Sequence, residues 1–143
     1  MSTSLTACLR ITSALVAIGL WAQTSRSVWD GVYTSEQAAR GAALYSTNCA
    51  QCHGTDLTGG ESAPGLAGGE FLSNWNGLTV GDLLERIRTT MPADRPGRIN
   101  REQNVDILAH ILRSNQFPAG KTDLERQTEV LKQIRIEPKP EAK

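Results

Sequence analysis

The stretch Thr47–Asp56, TNCAQCHGTD, places Cys49, Cys52 and His53 within five residues, between a segment of helical pattern and a glycine-rich one. Upstream, Thr34 stands as an N-cap with Gln37 in capping-box spacing, and no proline intervenes before the cysteines. A helix is therefore predicted from Ser35 to Asn48, delivering the motif at its end. Downstream, residues 54–78 hold seven glycines and Pro64 with little apolar periodicity, and they read as one long loop. Structureless loops of that length tend to wrap something functional. Thr79 as cap and Asp82 in the first turn predict a second helix, Val80–Thr89, with Val80, Leu83, Leu84 and Ile87 on one face. Asn100 as cap with Gln103 at N3 predicts a third, Arg101–Asn115, whose Val105, Leu108, Ala109 and Leu112 fall at helical spacing. No segment alternates as a strand does. The expected fold class is all-α, three main helices joined by long loops.

Further out, both ends of the 143-residue chain change character. Residues Ile11–Ala22, ITSALVAIGLWA, carry no charge and give way to polar QTSRS. The run is shorter than the roughly 18 apolar residues of a membrane span and has the form of a secretory signal peptide, residues 1–22, with Ala22 at the cleavage point. The mature chain then has no membrane span, and an uncleaved signal would anchor it instead. LTAC, Leu5–Cys8, has the look of a lipobox but precedes the apolar run, so Cys8 leaves with the signal. Residues 23–33 read as a linker, and 119–143 as a C-terminal extension. In that extension Thr122 and Glu125 have capping-box spacing, Leu124, Leu131 and Ile134 form a weak helical face, and EPKPEAK has the composition of a disordered tail.

Net charge is zero, and one unit negative once Arg10 is removed, which gives no global argument for nucleic acid or anionic membranes. The distribution says more. No Lys or Arg lies between Arg40 and Arg86, where Asp56, Glu61, Glu70, Asp82 and Glu85 fall, and Arg86, Arg88, Arg95, Arg98 and Arg101 then arrive together. Aromatic residues are only 5% of the chain. Three short helices with so little apolar bulk are hard to stabilise against chain entropy unless a large apolar group joins the core.

The cysteine and histidine cluster narrows what that group is. Zinc needs four ligands in tetrahedral array, and beyond this cluster the mature chain offers only His110. A redox dithiol needs its CxxC at a helix N-terminus after a strand, whereas here the motif follows a helix. Cys-x-x-Cys-His after a signal peptide fits covalent attachment of one haem c: Cys49 and Cys52 form thioethers to the vinyl groups and His53 lies under the iron. For the sixth iron position the candidates are Met91 and His110. Met91, in TTMPADRPGR, is followed by Pro92 and has no helical face to join, whereas His110 sits amid the apolar face of the third helix, where packing is the simpler role.

From Thr34 to Phe117 the chain resembles a class I cytochrome c, and residues 34–118 are taken as that domain. Gly41 and Tyr45 in GAALYSTNCAQCH match the family's Gly-x-x-x-aromatic approach to the haem motif. ILAHIL presents His110 where the family's C-terminal helix carries an aromatic, so a polar ring enters the helix crossing. The resemblance implies the cytochrome c fold, with loops wrapping one haem. It also implies that the carbonyl of Pro64 accepts the free ring N–H of His53, fixing the ring, and that Met91 is the second axial ligand. Trp75 would pack on the haem or donate to a propionate.

With His53 and Met91 both bound, the iron has no vacant position. The resulting expectation is an exported or periplasmic single-electron carrier and not an enzyme, with redox-protein donor and acceptor as transient partners. VWDGVYTSEQAARG is similar to the lead-in of small cytochromes associated with quinoprotein dehydrogenases, which would make such an enzyme the donor. An acidic partner docking near Met91 would sense Arg95 and Arg98. Two other readings compete: a gas sensor or small peroxidase-like protein whose Met91 comes off the iron, and a haem-bearing subunit of a larger respiratory complex.

Overall fold

In the computed structural model, which describes residues 25–141, the three long helices begin at the three predicted caps. Thr34 Oγ1 accepts from Gln37 N at 3.1 Å and starts α1, Ser35–Asn48. Thr79 and Asp82 close a full capping box at the start of α4, Val80–Thr90, as do Asn100 and Gln103 at the start of α5, Arg101–Ser114. Between them lie a single turn α2, Ala50–His53, and a helix α3, Gly68–Trp75. A short strand β1 (Arg26–Ser27) precedes α1, and a single turn α6, Thr128–Leu131, and a second short strand β2 (Ile134–Arg135) follow α5. The expected signal peptide, residues 1–22 with Cys8 and Arg10, lies outside the described residues.

α1 and α5 form the frame. They cross at Gly41, where a Cβ would stand 1.8 Å from the Asp106 carbonyl oxygen and 3.0 Å from His110 Cβ, so no side chain fits there. His110 packs in this crossing with its ring 5.2 Å from that of Tyr45. Burial lowers its pKa, with help from the nearby Arg113 charge. The polar ring expected in the helix contact is there and is tolerated. Arg40 clasps the crossing from outside, donating to both carboxylate oxygens of Asp106 at 3.0 and 3.2 Å.

Several expectations give way. The loop 54–78 contains α3, whose Phe71 is fully buried, with Leu72 and Trp75 packed against the core. Two leading glycines and an apolar set only eight residues long hide that periodicity. At α1 only half of the capping box forms, because Gln37 turns to the C-terminal extension: its Oε1 accepts from Leu124 N at 2.6 Å and its Nε2 donates to Leu124 O at 3.3 Å. The helix anticipated after Thr122 is one turn beginning at Thr128, without a side-chain cap, and the chain then extends as β2.

The linker and the extension are structural parts of the domain. β1 and β2 pair in parallel, Arg26 opposite Ile134 and Ser27 opposite Arg135, a ladder too short to show alternation in sequence. Trp29 meets Phe117 edge-on at 5.0 Å, and its indole N–H is shared between the carbonyls of Glu137 and Pro138, both at 3.0 Å, where a disordered tail was expected. Tyr33 donates to Phe117 O at 2.6 Å. Val28, Val32, Tyr33, Leu124, Leu131, Ile134 and Ile136 are all buried, so the two flanks supply much of the bulk that the lean central helices lack.

Candidate functional site

α1 hands directly over to the turn that carries the motif. Cys49 N donates to Tyr45 O at 2.8 Å, ending α1, and the Cys49 carbonyl accepts from Cys52 N and His53 N at 3.1 and 3.0 Å, starting α2. One helical turn thus sets Cys49 and Cys52 three residues apart on neighbouring positions of one face, with His53 next to them. Both thiols are free, Cys52 exposed and Cys49 half-buried. Burial pushes the Cys49 thiol up to about 11, and the Arg98 guanidinium is the main influence opposing it.

His53 is 7% exposed, and its Nδ1 lies 2.8 Å from the Pro64 carbonyl oxygen. A carbonyl can only accept, so Nδ1 carries the proton and Nε2 keeps its lone pair. That is the tautomer a metal needs, with the ring held by a bond on its far side. The intervening loop is closed by Gly59 N to His53 O at 2.8 Å and Leu66 N to Leu57 O at 2.8 Å. Tyr45, from α1, donates to Gly54 O at 2.7 Å. Gly59 has φ +79°, and a Cβ there would lie 2.5 Å from Gly65 N and 2.7 Å from the Pro64 carbonyl carbon. Leu57, buried at φ 62°, is a rare non-glycine residue in the left-handed region. The chain is forced into a tight path so that the Pro64 carbonyl meets the ring.

Met91 stands at the C-terminal end of α4, its N–H bonded to Ile87 O at 2.9 Å, and is half-buried. The loop beyond it folds on itself through Arg95 N to Pro92 O at 3.0 Å and Gly97 N to Met91 O at 3.4 Å. Arg98 then reaches across to Asn48, Nη2 to Oδ1 2.7 Å, one residue before Cys49. Buried Ile99 closes the loop, its carbonyl accepting from Asn104 Nδ2 at 2.9 Å. The loop that follows Met91 therefore meets the cysteine-bearing end of α1. Trp75 ends α3, half-buried against the core, and takes no part in these bonds.

The fit to a covalently held haem rests on this donor set: two unpaired thiols on one turn, and a buried imidazole with its Nε2 lone pair free. Spacing alone identifies these three residues. It does not reveal Asn48, Tyr45 as a strut to Gly54, or the strained path at Leu57 and Gly59; of these only Tyr45 carries a signal, through its place in the Gly-x-x-x-aromatic pattern. Arg98, expected as a docking cation, is instead engaged with Asn48. Arg95 is exposed, and among the described residues it pairs only with exposed Asp94, at 3.4 Å.

Residues 36–111 match the family described as cytochrome C oxidase, cbb3-type, subunit III. Among solved structures, the fold is similar to the crystal structure of the sulfane dehydrogenase SoxCD from Paracoccus pantotrophus. The TM-score is 0.52 at 23% identity, covering 89% of this chain and 66% of that one. This chain therefore spans about two thirds of the length of the chain it matches. No curated protein matches.

Proposed function

The chain belongs to the cytochrome c family that includes subunit III of the cbb3-type oxidase, and on that premise we propose that it is a single-electron carrier with His53 and Met91 as axial ligands. A cytochrome c domain implies a covalently bound haem c and redox partners, and the all-α fold is that of the family. In this reading Cys49 and Cys52 carry the thioethers, His53 ligates through Nε2, and Pro64 fixes the ring from behind. Met91 would supply the second ligand, and Trp75 would pack on the group or donate to a propionate. The haem supplies a one-electron redox centre whose potential the soft thioether ligand raises. This chain's own residues orient the imidazole through Pro64 and leave Cys52 exposed to solvent.

The observation that carries the reading is the bond from His53 Nδ1–H to Pro64 O, which leaves the other ring nitrogen free. Export fits the same chemistry, with residues 1–22 as the signal and residues 34–118 as the haem-bearing part, onto which the 119–143 extension packs. Among the described residues no helix is long and apolar enough to cross a membrane. The test is haem staining after denaturing electrophoresis of protein made with a haem-attachment system. Full-length protein should stain, and the Cys49→Ala, Cys52→Ala double variant should not. Staining that survives the double substitution contradicts the reading.

A second reading, a haem-bearing subunit of a larger redox complex, is favoured by the names of its relatives, an oxidase subunit and a dehydrogenase. Leu124, Leu131, Ile134 and Ile136 of the extension pack into this domain, so a larger complex would be met through the extension's exposed residues. Co-purification of the tagged chain from its own cells with a stoichiometric oxidoreductase would establish this reading, and recovery as a monomer would favour the free carrier.

A further inference from the structure

We propose that Arg98 is the positioning residue of the distal side: through Asn48 it ties the loop after Met91 to the turn that carries Cys49, and so holds Met91 in place. The proposal rests on the reading of Met91 as an axial ligand. Three features of the contact carry it. First, the Asn48 amide is oriented from both ends: its Nδ2 donates to Leu44 O at 2.7 Å, which turns Oδ1 toward the Arg98 guanidinium, also at 2.7 Å. Second, Asn48 is the last residue of α1, so the Arg98 charge sits at the negative end of that helix dipole. Third, among residues 92–98 Arg98 alone has a side chain bonded outside the loop within the described residues.

The loop is otherwise open. Ala93 to Arg98 are exposed, and their remaining bonds close the loop on itself, through Gly97 N to Met91 O and Arg95 N to Pro92 O. Its return end is fixed one residue later, where buried Ile99 accepts from Asn104. Without Arg98, the whole stretch 92–98 would hang between the end of α4 and Ile99. With it, the loop is fastened to the segment that the Cys49 thioether fixes to the haem. Arg98 acts through the loop and Asn48.

The test uses full-length holoprotein and four variants, Arg98→Ala, Asn48→Ala, the double variant, and Arg98→Lys as the conservative replacement, with Met91→Ala as the reference for an open position. The readouts are the rate of carbon monoxide binding to the ferrous protein, amide hydrogen exchange over residues 92–98, and helix content. Each alanine variant should bind carbon monoxide about tenfold faster than wild type, the scale of one charge-assisted hydrogen bond. The double variant should be no faster than either single one, because both remove the same bond. Arg98→Lys should recover most of the protection, helix content should hold, and exchange should quicken over 92–98 alone. Slow wild type, fast Met91→Ala and slow Arg98→Ala would overturn the proposal and leave Met91 ligation standing. So would a double variant equal to the product of the two singles. Wild type as fast as Met91→Ala would overturn the ligation itself and the proposal with it.

Discussion

His53 and Met91 each end a helical segment, yet their surroundings differ. His53 is 7% exposed, bonded to Pro64 through its ring and enclosed by a loop that closes on Gly59, Leu57 and Gly54. Met91 is half-buried, and the chain beyond it lies exposed from Ala93 to Arg98. The bonds around His53 join residues close in sequence, Tyr45 to Leu66, and Asn115 of α5 anchors the far end of that segment through Leu66 O at 2.9 Å. The distal side depends on a tertiary bond from Arg98 to Asn48, fifty residues away in the chain. Under the proposed ligation, His53 is held by its own short segment, and Met91 by a margin that single substitutions can change.

Two glycines with the same backbone angle break this comparison most sharply. Gly59 and Gly97 both have φ +79°, but a Cβ at Gly59 would meet backbone atoms at 2.5 to 2.8 Å, whereas the nearest atom at Gly97 is 3.9 Å away. Gly59→Ala adds overpacking to the cost of a left-handed alanine and should lower stability by about 3 kcal/mol. Gly97→Ala incurs only the backbone cost, about 1 kcal/mol. Urea unfolding of the two holoproteins compares them directly. Equal losses would mean that the proximal loop has more room than its contacts indicate.

Tyr45→Phe tests the same proximal segment more gently. Removing the bond to Gly54 O should cost about 1 kcal/mol at neutral pH. Burial, with smaller contributions from Cys49 and Asp56, raises the phenol from its ordinary 10.0 to about 12. Below pH 10 the phenol is protonated in both folded and unfolded chains. Between about pH 10 and 12 only the unfolded chain gains by ionising, so stability falls as pH rises through that window. The Phe variant should lose this fall, as read from unfolding midpoints across the alkaline range.

The smallest effect belongs to the distal surface. Arg95→Glu reverses an exposed charge without touching the fold and should slow electron transfer with an acidic partner about threefold at low salt, fading as ionic strength rises. An unchanged rate across the salt series would remove Arg95 from the docking surface.

How legible the molecule is in its sequence follows the same division. Helix caps act over three residues, so Thr34, Thr79 and Asn100 are visible and the long helices fall where they should. Cys49, Cys52 and His53 announce themselves by spacing, because the chemistry of attachment requires it. α3 is hidden, since its helical pattern spans barely two turns and opens on glycines. The flanking layer is hidden for another reason: two-residue strands and a carbonyl-bonded Trp29 carry no periodic signal, and Gln37 stands in cap spacing yet clamps Leu124. Arg98 looks like a free surface charge because nothing local to it names Asn48.

The central claim is that this chain holds iron between the His53 nitrogen and the Met91 sulfur. X-ray absorption at the iron edge of the oxidised holoprotein counts those neighbours directly. One sulfur scatterer in the first shell, lost in Met91→Ala while the haem stays attached, is the predicted result. A first shell without sulfur in wild type, or one unchanged by Met91→Ala, would contradict it.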